Sequence, residues 1–217
     1  MIRVLVVDDE ALIRHGLALV LRAVGGIEVV ATTTGAQALD EIIRSRPDLV
    51  LLDIRMPDVD GFTVLRQIRQ LPTPPPVAIL STFDTDEHVL AALSGGAAGF
   101  ILKNTDPRVL GDIVRVLAAG AVVLSPTVTR GVFGRPAGGD PDAVRRTSRL
   151  TDRERDVLHL IAAGLSNIEI GLRMRVSAAT AKDHVSTILH KLGVGGRVEA
   201  ALLAQRTGML DSAKGPR

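Results

Sequence analysis

The 217-residue chain contains no cysteine, no tryptophan and no tyrosine, and only four phenylalanines. Without cysteine there is no disulfide and no thiolate chemistry. An aromatic content of 2% argues against recognition of single-stranded nucleic acid by base stacking. No unbroken apolar stretch reaches the ~18 residues that a membrane-spanning helix needs. The first strand-like run, Ile2 to Val7, passes straight into Asp8-Asp9-Glu10. That run is too short for a secretion signal and lacks a small-residue cleavage site, so a cytoplasmic protein is expected. Net charge is also scarce, at +2, but it is unevenly spread. Residues 1–120 hold 11 Lys and Arg against 15 Asp and Glu, residues 121–149 hold 5 against 2, and residues 150–217 hold 10 against 7. An acidic front and a mildly basic back suggest that a polyanion partner would meet the back.

What is present is a hydrophobic fraction of 46%, ample for packed cores, in a length that fits one or two domains. The chain is organised around Leu49-Val50-Leu51-Leu52-Asp53, an apolar run ending on a carboxylate. Such a run reads as a strand buried on both faces of a parallel sheet. Met56-Pro57 and Asp60-Gly61 mark the loop that leaves it. Asp53 is thereby placed at the carboxyl end of a central strand, where open α/β sheets bind ligands. Similar runs at Ile2–Val7, Ile27–Ala31, Val77–Leu80 and Gly99–Leu102 alternate with segments of helical periodicity. Those helices are expected over 11–24, from a Thr34 cap to Arg44, over 61–70, from an Asp84/Glu87 capping pair to Gly95, and from Asp106-Pro107 to Gly120. Five βα units imply a parallel sheet covered on both faces. Beyond residue 120, Val122–Leu124 reads as a short apolar piece and Pro126–Val132 as a short helix. Residues 133–148, rich in Gly, Pro and Arg, read as a flexible linker without periodicity. The domain division expected is 1–120, a linker over 121–148, and 149–217.

Asp8, Asp9 and Asp53 stand at strand ends that can converge. Three close carboxylates repel one another unless a cation is present, and hard oxygen ligands suit Mg²⁺. An Asp beside Mg²⁺ can accept a phosphoryl group. Lys103 and Ser81, at two further strand ends, can pair with and donate to that group. Residues 1–120 resemble the receiver domain of two-component response regulators. The series Asp8-Asp9, Asp53, Ser81, Lys103, with Met56-Pro57, Asp60-Gly61 and Phe100, carries the resemblance. It implies a flavodoxin-like (βα)5 fold with strand order 2-1-3-4-5, and Asp53 as phospho-acceptor. It also implies Mg²⁺ held by Asp9, Asp53 and the Arg55 carbonyl, with Asp8 acting partly through water. Ser81 and Phe100 become switch residues, Phe100 swinging inward once Asp53 is modified. The side chains of Arg55 and Phe83 would flank the phosphoryl group. Ser81 stands where Thr is commoner, and Phe100 where Tyr is common.

The tail reads as four helices. Thr151-Asp152-Arg153-Glu154 and Ser166-Asn167-Ile168-Glu169 are capping boxes, Ser177 caps a third helix and Arg197–Thr207 forms a fourth. Ser166 to Val185, with the turn Met174-Arg175-Val176, forms a helix-turn-helix. On its second helix Ala178, Ala181, Val185, Ile188 and Leu192 share one face, and Lys182, Asp183, Ser186 and His190 the other. Residues 149–210 resemble the LuxR-type helix-turn-helix through Leu150-Thr151, Gly164-Leu165-Ser166-Asn167, Glu169-Ile170, Thr180, Lys182, His184-Val185 and Lys191-Leu192-Gly193. The resemblance implies double-stranded DNA as partner, with Lys182, Asp183 and Ser186 at base-reading positions. Thr180, Lys191 and Arg197 are implied as phosphate-side or structural contacts, and the last helix as a dimerisation element. Gly171 replaces a usual Ala, which should weaken its helix by ~0.5–1 kcal/mol.

Together these resemblances imply a NarL/LuxR-type response regulator, phosphorylated by a sensor histidine kinase and dimerising when phosphorylated. Two rival readings are a phosphorylation-independent DNA-binding protein with a receiver-like domain, against which the full acidic set argues, and an enzyme turning over through Asp53. The enzyme would need an acid or base two residues on, where Arg55 stands.

Overall fold

A computed structural model describes residues 1–82, 86–123 and 140–207. The first half alternates β1 (Ile2–Val7), α1 (Ala11–Ala23), β2 (Ile27–Thr33), α2 (Ala38–Ser45), β3 (Leu49–Asp53), α3 (Gly61–Arg69), β4 (Val77–Ser81), α4 (Asp86–Ser94), β5 (Gly99–Leu102) and α5 (Pro107–Ala118). The strands form one parallel sheet in the order β2-β1-β3-β4-β5. Every residue of β3 and β4 is buried, as the continuous apolar runs require. The pleat divides those runs between two cores. Leu5, Val7, Val50, Leu52, Val77 and Ile79 face α2, α3 and α4, and Val4, Val6, Leu49, Leu51, Ala78 and Leu80 face α1 and α5. The flavodoxin-like (βα)5 fold and its strand order are as expected.

Two local expectations change. β2 runs two residues further than expected, and Thr34 opens a 3-10 turn, Gly35–Gln37, rather than an α-helix. Gly35 lies against Met56, where a Cβ would come within 2.8 Å of Cε. Asp58, from the loop after β3, accepts from the Ala36 N–H at 3.0 Å, and Thr34 makes no side-chain cap. By contrast Asp106 caps α5 as the Asp-Pro pair predicts, accepting from the Arg108 N–H at 2.9 Å. After α5 the chain returns to the sheet edge. Val123 bridges Gly99 in parallel register and accepts from the Phe100 N–H at 3.1 Å. The expectations placed on Phe83, Asp84, Leu124 and the 126–132 segment lie outside the described residues.

The stretch assigned to an aperiodic linker contains a helix, α6 (Pro141–Thr147). Asp140-Pro141 repeats the capping device of Asp106-Pro107, with Asp140 accepting from the Asp142 and Ala143 N–H groups. Ala143 and Thr147, one turn apart, are buried, and the Arg146 guanidinium donates to the carbonyls of Leu192 and Gly193. Residues 141–147 therefore pack with the helical tail. That tail continues as α7 (Asp152–Ala162), α8 (Asn167–Met174), α9 (Ala178–Leu192) and α10 (Arg197–Arg206), around a core that includes Leu158, Ile170, Val185, Ile188 and Ala204.

Candidate functional site

The carboxyl rim of the sheet gathers five chemistry-bearing residues because neighbouring strands end together. Asp53 is in register with Leu80, Ser81 with Leu102, and the Lys103 N–H donates to the Ser81 carbonyl at 2.7 Å. Asp8 follows β1, whose Val7 pairs with Leu52. One oxygen from each of Asp8, Asp9 and Asp53 lies within 4.8 Å of the others. Asp8, Asp53 and Ser81 are buried and Asp9 is half-buried. Lys103 Nζ reaches into this cluster, 2.8 Å from Asp8, 3.0 Å from Asp53 and 3.8 Å from Glu10. Burial holds the Asp53 carboxyl above the ordinary carboxylate range. The Lys103 ammonium works against that, and the neighbouring Asp8 charge adds to it. Burial disfavours the Lys103 charge, yet its bonds to Asp8 and Asp53 outweigh this and hold it above the usual lysine value. One Asp9 carboxylate oxygen, Oδ1, is buried with no hydrogen-bond partner. Three hard oxygen donors with an orphaned buried oxygen fit a divalent cation.

The backbone around the cluster is equally specified. The Asp8 carboxylate accepts from the Glu10 N–H at 2.9 Å and Asp53 from the Arg55 N–H at 3.3 Å. Gly61 brings the start of α3 against the end of β3. A Cβ there would lie 2.2 Å from the Asp53 carbonyl oxygen and 2.7 Å from the Ile54 Cα. Two residues escaped the sequence reading. Arg14 donates to the carbonyls of Asp8 and Asp9, at 2.5 and 2.8 Å, and so holds the turn that carries both acids. A base in the second turn of a helix that opens on acids was the available signal. Glu10 sits at the edge of the Lys103 ammonium, and its place beside Asp8-Asp9 was the signal there.

The Phe100 ring lies inside the core, 1% exposed, in the same cluster as Val89, Leu93 and Ala97 and on a strand packed under α4.

In the tail both capping boxes form. Thr151 accepts from Glu154 and Ser166 from Glu169, and each Glu closes back on the cap N–H. Ser177 caps α9, accepting from the Thr180 N–H at 3.0 Å. Ala181, Val185, Ile188 and Leu192 are buried, and Thr180, Lys182, Asp183, Ser186 and His190 are exposed. Ala178, assigned to the inner face, is exposed at the start of the helix. Lys191 Nζ is 2.7 Å from Glu154 Oε1, tying α9 to the first turn of α7. Arg197 cannot serve as a phosphate contact in this arrangement. It is 7% exposed, and its guanidinium donates to the Leu165 carbonyl and approaches Asn167 Oδ1 at 3.5 Å. Burial pulls its pKa down to about 10, against the pull of Glu169. Of the two roles open to it, the structure selects the structural one. Gly171 also reads differently in place. A Cβ would stand 2.9 Å from the Val176 carbonyl oxygen, so the lost helix propensity accompanies a close turn.

Residues 4–115 match the family model described as the response regulator receiver domain, and residues 148–204 that of the bacterial regulatory proteins of the luxR family. The chain is 38% identical over 207 residues to the nitrate/nitrite response regulator protein NarP of Escherichia coli, covering 93% of each chain. It is 33% identical to the transcriptional regulatory protein LiaR of Bacillus subtilis, covering 97% of this chain and all of that one. Among solved structures, the response regulator ChrA of a heme-sensing two-component system is 33% identical, with a TM-score of 0.52 over 96% of this chain and 98% of that one. The receiver domain of the response regulator NarL from Mycobacterium tuberculosis is 38% identical, with a TM-score of 0.53, over 55% of this chain and 97% of that one. The chain thus belongs to the NarL/LuxR-type DNA-binding two-component response regulators.

Proposed function

We propose that this protein is a transcription factor switched by phosphorylation of Asp53, with a sensor histidine kinase as donor and double-stranded DNA as target. The observation that carries the proposal is the Lys103 ammonium bridging Asp8 and Asp53 beside the orphaned Asp9 oxygen. Asp8, Asp9, Asp53 and the Arg55 carbonyl would hold Mg²⁺, which would supply charge neutralisation at the transferring group. An Asp53 carboxylate oxygen attacks the phosphorus of a phosphohistidine. The phosphorus–nitrogen bond breaks as the phosphorus–oxygen bond forms, and the imidazole leaves with the electron pair. The product adds roughly −1.5 to −2 charge and three acceptor oxygens to a site that already holds three carboxylates. Lys103 is the nearest cation to answer that charge, and Ser81 the nearest hydroxyl on the adjoining strand. Both end strands that pack under α4, so their movement is passed to that helix.

On the output side, the exposed face of α9 supports insertion in a major groove, with Lys182, Asp183 and Ser186 toward base edges and Thr180 toward the backbone. Asp183 and Ser186 limit local positive charge, so affinity depends on two copies engaging two half-sites, one or more helical turns apart. We assign the protein to the cytoplasm with the rest of its family. No described helix is long and apolar enough to cross a membrane. The decisive experiment is a phosphate-affinity gel after incubation with acetyl phosphate and Mg²⁺. A retarded band in the wild type and none in Asp53→Asn is expected. A retarded band in both would remove Asp53 as the acceptor.

A further inference from the structure

The second helix of the helix-turn-helix carries a carboxylate on its most outward ridge. In α9, Ala181, Val185, Ile188 and Leu192 are buried in the tail core. At ~100° per residue, Asp183 stands roughly opposite the middle of that stripe, with Ala179 and Ser186 one turn to either side. Lys182 lies about 100° round the helix and does not face it. All four are exposed. Elsewhere in the tail Asp142, Asp152 and Glu154 pair with Arg145, Arg155 and Lys191. The Asp183 carboxylate takes part in no ion pair or hydrogen bond among the described residues. The residues one turn away, Ala179, Thr180, Ser186 and Thr187, include no cation. Two of their hydroxyls are engaged locally. Thr180 Oγ1 is 2.8 Å from Ser177 Oγ, and Thr187 donates to the Asp183 carbonyl at 2.9 Å. An unpaired carboxylate facing a groove walled by phosphates is repelled by every DNA sequence. That repulsion is offset only where the groove floor offers a hydrogen-bond donor.

Building on the DNA-binding reading above, we propose that Asp183 determines sequence specificity by requiring a cytosine in each half-site. A carboxylate can only accept hydrogen bonds. On the major-groove edge guanine presents two acceptors, N7 and O6, and thymine one acceptor, O4, beside a methyl group. Adenine sets its N6 amino donor next to the N7 acceptor. Cytosine alone offers a donor, the N4 amino group, with no acceptor of its own. Asp183 is therefore attracted at cytosine, partly balanced at adenine and repelled at guanine and thymine. It discriminates by rejection as much as by attraction. Its side chain is short, so the helix backbone has to come close to the base edges. The small Ala179 and Ser186 on the same ridge permit that approach. Lys182, a donor only, answers the acceptors of guanine, so the two neighbours do not compete for one base edge.

The test is selection from a randomised duplex library by the full-length protein, with and without acetyl phosphate, for wild type, Asp183→Asn and Asp183→Ala. Asp183 is exposed, so both variants keep the buried stripe of α9 intact. Wild type should enrich duplexes with one fixed cytosine in each half-site. Asp183→Asn should change that position to adenine, because an amide pairs with adenine N6 and N7. Asp183→Ala should lose the preference there and keep the rest of the site. On single duplexes, exchanging that cytosine for thymine should weaken wild type roughly 5- to 150-fold and Asp183→Ala less than about twofold. A site unchanged in both variants overturns the role of Asp183 and leaves DNA binding standing. So does wild-type enrichment of any other base at the position the variants alter. No enriched sequence from wild type in either arm overturns the DNA-binding reading, and this inference with it.

Discussion

Lys103 is the place where the electrostatics of the receiver can be tested most directly. Its Nζ is 2.8 Å from Asp8 and 3.0 Å from Asp53, and both carboxylates are buried. Lys103→Met keeps the bulk of the stem and removes the charge. Two buried carboxylates then face each other without a cation. Removing one partner of a buried ion pair costs about 3–5 kcal/mol. For a domain of this size 1 kcal/mol moves Tm by about 4 °C, so a fall of roughly 10–20 °C is expected at pH 7.5 without divalent metal. The pH dependence has a definite sign. Asp53 lies above its ordinary 3.8 because of burial, even with Lys103 pulling it down, and the variant removes that pull. A carboxyl raised on folding adds stability that is fully present below the unfolded value and is lost as pH rises through the folded one. The deficit of Lys103→Met should therefore widen from pH 5 to pH 7.5. Mg²⁺ should close it, because a ligand at a hundred times its Kd adds about 2.7 kcal/mol. With neither Trp nor Tyr, far-ultraviolet circular dichroism or calorimetry is the assay. A deficit below about 1 kcal/mol, or one indifferent to both pH and Mg²⁺, would refute the pairing.

Gly61→Ala should destabilise the receiver by more than about 2 kcal/mol and slow labelling by acetyl phosphate, since its Cβ would press on the backbone of Asp53 and Ile54. Urea unfolding and the rate of band retardation check this, and wild-type behaviour in both would show that the loop can yield. Thr151→Ala should cost the tail about 1 kcal/mol by opening its capping box, with the receiver transition unmoved. Calorimetry that resolves the two transitions is the measurement. Arg197→Met should leave tail stability within about 1 kcal/mol, because a desolvated charge is exchanged for an apolar side chain. It should also leave the salt dependence of DNA binding unchanged. A reduced slope of log K against log salt would restore Arg197 as a phosphate contact.

What the sequence made legible was local. The strands were readable because β3 and β4 are buried on both faces, so burial appears as an unbroken apolar run. Asp8, Asp53 and Lys103 were readable because strand ends of a parallel sheet share a rim, which topology alone converts into a distance. The Asp140-Pro141 cap was present too, but the surrounding Gly, Pro and Arg suggested a linker, and only the packing of Ala143 and Thr147 shows that a helix follows. Thr34 failed for a related reason. A cap residue competes with whatever else the fold brings nearby, and here that was Asp58, 22 residues from the N–H it binds. The roles of Phe100 and Arg197 stayed open because each turns on what lies across a contact far removed in sequence. An aromatic at a switch position reads the same whether its ring faces solvent or lies in one core with Val198. An arginine at a helix start reads equally as a phosphate-side or a structural contact until Leu165 and Asn167 are found beside it. The all-round burial of α10 is the furthest case. Val198 and Leu202 serve one core while Ala200 and Leu203 serve the other, so the helix has no single apolar face to detect. A periodicity analysis assumes one partner per helix. A helix held between two domains violates that assumption, and burial on both sides blurs its pattern.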